Sequence, residues 1–88
     1  IMNIITGKDW KYAIISAANS MDSKKNAINA MNIFPVPDGD TGSNMFMTIQ
    51  AAKEALMQLS DEASISEVAE QTSKNMLLSA RRLLIALN

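Results

Sequence analysis

The sequence contains no cysteine and no histidine. Without cysteine there is no disulfide, no thiolate nucleophile and no cysteine-type zinc site, which suits a reducing compartment. Without histidine the commonest general base and the commonest transition-metal ligand are missing. Any metal bound by this chain should therefore be a hard cation held by oxygen atoms.

Charge and long apolar runs are also scarce. Charged residues make up 19% of the chain and the net charge is −1, which argues against nucleic acid or an anionic membrane as the main partner. No run reaches the ~18 apolar residues that span a bilayer, and no basic segment followed by an apolar one marks a signal peptide. We therefore expect a cytoplasmic protein with no membrane span and no nucleic-acid partner.

The apolar residues, 48% of the 88 positions, recur at helical spacing and predict an all-α fold. The clearest set steps by four and three residues through Met45, Ile49, Ala52, Leu56 and Leu59. Similar sets are Trp10, Ile14, Ala17 and Met21, and Val68, Ala69, Thr72, Met76, Ala80, Leu83 and Leu87. We predict about four antiparallel helices within segments 8–31, 42–59 and 65–87. The first segment is one kinked helix or two, because residues 19–22 compete with the helical backbone.

Between the first two segments lies a loop, residues 32–44, that holds both prolines and two of the three glycines. Proline fixes φ and disfavours helix in the residue before it, so the first part of this loop should be extended. Asp38 and Asp40 follow, one residue apart. Two neighbouring carboxylates can bind Mg²⁺ together with phosphate oxygens and water.

The residues after Asp40 open a helix, and the start of a helix attracts anions through unpaired N–H groups and its dipole. Thr41, Ser43 and Asn44 can donate further hydrogen bonds, and Gly42 permits close approach. The structural alternative is that Asp40 or Thr41 only caps the helix while Asp38 forms a turn. A calcium loop of the EF-hand kind lacks its glycine and its final glutamate, and no Walker sequence is present.

Residues 32–45 read NIFPVPDGDTGSNM and resemble the signature of the DhaL-like nucleotide-binding domain of dihydroxyacetone kinases and bacterial fatty acid kinases. The similarity is closest to the fatty acid kinase branch, whose typical run is NVFPVPDGDTGTNM. The family fold is an antiparallel barrel of eight helices that holds Mg-nucleotide at one end. This resemblance implies that the chain is a single partial domain over residues 1–88, the first half of such a barrel.

The resemblance also implies the ligands and their residues. Magnesium would be held by Asp38 and Asp40, with Asn32 as a weaker ligand, and the phosphates of ATP or ADP would be held by Thr41, Gly42, Ser43, Asn44 and Met45. Phosphoryl transfer asks a protein mainly for positioning and charge neutralisation, so it needs no histidine. In the fatty acid branch, the acceptor is a fatty acid presented by a separate binding protein.

The chain departs from the family after Arg81, where a glycine-rich turn, typically ARGNSGVILS, is replaced by Arg82 and an apolar run. We therefore expect the isolated chain to be catalytically inactive. The alternative is a self-associating helical protein that at most binds a divalent cation, because the end of the last helix is almost wholly apolar. In either case we expect a homo-oligomer. A weaker possibility is a module that binds the substrate-presenting partner.

Overall fold

The computed structural model of the protein describes residues 4–31 and 40–86. They form three helices, α1 (Gly7–Ala30), α2 (Thr41–Met57) and α3 (Ile65–Ala86), and contain no strand. The all-α prediction is confirmed, with three helices in the described residues where about four were expected. The difference lies in the first segment, which is one continuous helix.

Local sequence explains where the helices begin. At α1 the Thr6 hydroxyl accepts the Asp9 N–H at 3.2 Å, and the Asp9 carboxylate accepts the Thr6 N–H at 3.0 Å. This reciprocal capping box satisfies two N–H groups that the helix itself leaves without a partner. At α3 the Ser64 hydroxyl accepts the Glu67 N–H at 3.1 Å.

The expected break near residues 19–22 does not occur, and packing supplies the reason. α2 runs antiparallel to α1 along its length, so that Asn19 meets Lys53 and the two ends of α1 meet the opposite ends of α2. Most helical stability in proteins comes from such packing and not from local propensity. Weak helix formers in the middle of α1 are therefore tolerated.

α2 is the central helix, and α3 packs antiparallel against its other side, with the Ser79 hydroxyl donating to the Met47 carbonyl at 3.3 Å. Four apolar residues in the described chain are fully buried: Ala18, Ala52, Leu56 and Val68. The core is thus centred on α2. None of the described helices is both long enough and apolar enough to cross a membrane.

The face that α1 buries differs from the one marked by its apolar residues. Most of its buried or half-buried residues step by four and three through Gly7, Lys11, Ile14, Ala18, Met21, Lys25 and Ile28. Trp10 is 44% exposed and Ala17 is also exposed, although both belong to the apolar set that shows helical spacing. Apolar spacing alone does not identify the buried stripe, because that stripe includes two lysines and a glycine.

Apolar side chains also line an open groove of about 290 Å³ between the first halves of α1 and α3. Trp10 and Ile14 form one wall, and Ile65, Val68 and Met76 form the other. Further along α3, Leu84 and Ile85 are 64% and 60% exposed. The apolar end of α3 therefore faces outward in the single chain.

Candidate functional site

Asp40 is the N-cap residue of α2, with φ −118° and ψ 5°. Its carbonyl oxygen accepts the Asn44 N–H at 2.9 Å, the first hydrogen bond of the helix. Its carboxylate makes no capping hydrogen bond. The structural alternative for this residue, that its side chain is present to cap the helix, is therefore not supported.

The cap of α2 comes instead from α1, through Asn29. The Ser43 N–H donates to Asn29 Oδ1 at 3.0 Å, and Asn29 Nδ2 donates to Ser43 Oγ at 2.9 Å. Both bonds are partly buried. Asn29 is not recognisable as a cap from the sequence, since its partner is 14 residues away and no local motif connects the two.

Gly42 is buried against α1. A Cβ atom at this position would overlap the Lys25 carbonyl oxygen and would lie 2.9 Å from the Lys25 carbonyl carbon. The absence of a side chain thus lets two helix backbones approach closely. Gly42 therefore has a packing role, and its predicted contact with phosphate stays a prediction.

Lys25 places a positive charge on the same part of α1. Its ammonium lies 2.6 Å from Asp22 Oδ1 and 4.3 Å from the centre of the Phe46 ring on α2. The ion pair is exposed, with the Asp22 side chain 57% accessible. The start of α2 is therefore flanked by a cation, although this lysine is already held by two partners.

The remaining predicted site residues are distributed over the first turns of α2. Thr41 and Met45 are exposed, whereas Ser43 and Asn44 are half-buried. The Asn44 carbonyl accepts the Thr48 hydroxyl at 3.0 Å. Asn32 and Asp38 lie outside the described residues. Of the predicted metal ligands, the described residues therefore include Asp40 alone. Within residues 4–31 and 40–86 no three acidic side chains form a cluster that could hold a metal ion.

The opposite end of α2 has a second polar cluster. Lys11 is 7% exposed, and its ammonium donates to the Leu59 carbonyl at 2.8 Å and to Asp61 Oδ1 at 3.0 Å. The Tyr12 hydroxyl donates to the same carboxylate at 3.2 Å. The hydrogen bond from Lys11 holds the pKa of Asp61 below its usual value. All the polar groups in this cluster are used within the fold, which makes it a structural feature.

Residues 35–82 match the DAK2 domain family, and this range is more than half of the chain. The chain belongs to the DAK2 domain family. The match includes most of the proline-containing loop, with both prolines, all of α2 and most of α3. It confirms the predicted relationship at the level of a kinase-family domain associated with nucleotides, while the fatty acid kinase branch stays a prediction.

Relatives of this DAK2 chain occur in Bacillus and Staphylococcus. Protein YloV of Bacillus subtilis is 34% identical over 77 residues. Uncharacterized protein SH1689 of Staphylococcus haemolyticus is 36% identical over 77 residues, and SSP1546 of Staphylococcus saprophyticus is 37% identical over 78. Each alignment covers 88% of this chain but 14% of the relative. No solved structure gives a significant match.

Proposed function

We propose that this chain is the Mg-nucleotide-binding segment of an ATP-dependent kinase. In the complete protein, the acceptor is a fatty acid carboxylate presented by a partner protein, and the product is an acyl phosphate. The proposal joins the family membership to the chemistry of the loop and the start of α2. Because the chain spans 14% of its curated relatives, we expect phosphoryl transfer to need residues outside it.

One observation carries the proposal: the carboxylate of Asp40 is at the start of α2 but does not cap it. Asn29 performs the capping from another helix. The helix does not need the Asp40 carboxylate as a cap, so this carboxylate is suited to binding a ligand. Next to a proposed phosphate site, that ligand is a hard cation. The donor set of this part of the chain thus fits magnesium.

The family resemblance supplies the roles of the residues. Asp38 and Asp40 would hold magnesium, with Asn32 as a weaker ligand, and the side chains of Thr41, Ser43 and Asn44 would donate to the phosphates. Gly42 acts indirectly, because it is packed on α1, and exposed Met45 covers the nucleotide. The chemistry that Mg²⁺ supplies when bound is neutralisation of phosphate charge.

Calorimetric titration of Mg·ADP into the chain tests the proposal. We expect saturable, magnesium-dependent binding that is lost when Asp38→Ala and Asp40→Ala are combined. The matched control is Glu62→Ala with Glu70→Ala, which removes the same charge from exposed positions and should leave binding unchanged. A folded, helical sample that shows no binding would reject the proposal.

A second candidate function, self-association, is favoured by the outward-facing apolar residues of α3. Leu77, Leu84 and Ile85 are 71%, 64% and 60% exposed, and apolar surface of this kind is commonly covered by another protein surface. Sedimentation equilibrium should then give a mass above that of one chain. Leu84→Glu with Ile85→Glu should return it to the 9.6 kDa of the single chain, without affecting Mg·ADP binding.

A further inference from the structure

We propose that Asn29 is a positioning residue for the nucleotide site and acts through the Ser43 hydroxyl. Its amide holds the first turn of α2 and orients that hydroxyl so that the proton is available to a phosphate oxygen. The inference rests on the proposed function. It assigns a role to a residue of α1, outside the range that matches the family.

The direction of each hydrogen bond follows from which groups can only donate. The Ser43 main-chain N–H can only donate, so the atom of Asn29 that faces it at 3.0 Å must be the oxygen. The amide nitrogen then faces Ser43 Oγ at 2.9 Å and must donate to it. Because the hydroxyl accepts this bond, its single proton is directed elsewhere, which gives a phosphate oxygen a donor already oriented.

The neutral charge of Asn29 also matters. A carboxylate is equally able to cap a helix start and is favoured there by the helix dipole. Asp38 and Asp40, however, already place two negative charges in this stretch. A third would repel a phosphate, whereas an amide caps the helix and adds no charge.

Close helix packing allows Asn29 to reach its partner. A Cβ on Gly42 would lie 3.0 Å from Asn29 Oδ1, tighter than ordinary contact, and would overlap the Lys25 carbonyl oxygen. A residue with a side chain at this position would push α1 away from the first turn of α2. The Asn29–Ser43 pair therefore depends on a glycine next to it.

A merely structural cap and a positioning residue differ in how they respond to Asn29→Asp. The new carboxylate can still accept the Ser43 N–H, so the urea midpoint of unfolding should stay the same or rise. It cannot donate to Ser43 Oγ, so the hydroxyl turns and donates to Asp instead. Mg·ADP affinity should then fall on the order of tenfold to a hundredfold, as for the loss of a hydrogen bond to a charged group.

A double-mutant cycle separates lost orientation from simple charge repulsion. Ser43→Ala alone should weaken Mg·ADP binding at least about tenfold, but in the Asn29→Asp background it should cost almost nothing further. Ser43→Thr, which keeps the hydroxyl, should retain wild-type affinity. Calorimetry on the full chain gives the affinities, and urea unfolding gives the midpoints.

The outcomes distinguish the two proposals. If wild-type chain binds Mg·ADP and the two substitutions weaken binding additively, Asn29 does not act through Ser43, and this inference alone is overturned. A lower urea midpoint for Asn29→Asp would overturn it too, because the cap geometry would be wrong. If the folded wild-type chain binds no Mg·ADP, the proposed function is rejected and the inference with it.

Discussion

Side chains of α1 hold the backbone near both ends of α2, but with different charge. At the end of α2 the Lys11 ammonium donates to the Leu59 carbonyl, and its charge is matched by Asp61. At the start, the neutral amide of Asn29 accepts the Ser43 N–H, while the Asp40 carboxylate does not cap. Near the end of α2 the charges are therefore paired, whereas at its start the carboxylate of Asp40 makes no capping hydrogen bond.

Near each end of α2, a glycine without a side chain lets two backbone segments pack closely. The two ends therefore differ in electrostatics and not in closeness of packing. A Cβ on Gly7 would overlap the Ala63 carbonyl oxygen, as one on Gly42 would overlap that of Lys25. Each glycine brings a helix start against the backbone of another element. Closeness is therefore common to both ends, and the charge of the capping group is what distinguishes a structural end from a candidate binding end.

The largest expected effect is near the end of α2. Lys11→Met keeps the length of the side chain but leaves the Leu59 carbonyl and Asp61 without their ammonium partner. We expect a loss of roughly 2–3 kcal/mol in the free energy of unfolding, as for a hydrogen bond to a charged group. Urea unfolding measures it. The exposed neighbour Lys8→Met is the control, and equal midpoints for the two variants would show that the buried network is unimportant.

Lys11 is also an example of a contact that the sequence alone does not predict. The all-α class and the position of the loop follow from apolar periodicity and two prolines, because helix stripes and proline geometry are local properties. The buried stripe of α1 differs from its apolar stripe because Lys11 and Lys25 occupy inner positions. Lysine can bury its aliphatic stem while its ammonium binds a partner. For Lys11 that partner is Asp61, 50 residues further along the chain.

The next effect compares the two glycines. Gly42→Ala and Gly7→Ala should each destabilise the chain by about 1–2 kcal/mol, since the overlap with backbone outweighs the helix propensity of alanine. Only Gly42→Ala should also weaken Mg·ADP binding, by at least about tenfold if it displaces Asn29. Calorimetry at a temperature where both variants are folded separates the two effects. Stabilisation by Gly42→Ala would contradict the close packing.

The candidate site was predictable only in part, for a related reason. The motif that contains Asp40, Thr41 and Ser43 is contiguous, so its residue types alone suggested metal and phosphate chemistry. The role of Gly42 in packing and the capping by Asn29 depend on which helix lies alongside. A single sequence contains no such information until the pairing of α1 with α2 is known.

A smaller effect is expected for Lys25 at the candidate binding end. Its ion pair with Asp22 is open to solvent, and its contact with the Phe46 ring adds little, so Lys25→Met should cost about 0.5 kcal/mol. The cost should shrink as salt is added, because the ion pair is screened. Urea midpoints at low and high salt test this, with Lys24→Met as the exposed control. A cost as large as that of Lys11→Met would remove the contrast between the two ends.

The smallest expected effect is the pH dependence that Asp61 contributes. The hydrogen bond from Lys11 lowers the pKa of this carboxyl in the folded chain below the 3.8 of an unperturbed aspartate. The folded state therefore binds this proton less readily than the unfolded state. The stabilisation of the folded chain by the ionised Asp61 is present above about pH 4 and is lost as the pH falls through the folded pKa. Asp61→Asn should lower the urea midpoint at pH 6, and this cost should shrink as the pH falls below about 4. In a Lys11→Met background, the same substitution should have a much smaller effect at pH 6, because the main donor to the carboxylate is gone. If the cost of Asp61→Asn were instead constant from pH 6 to pH 2.5, the carboxylate charge would play no part in stabilising this end of α2.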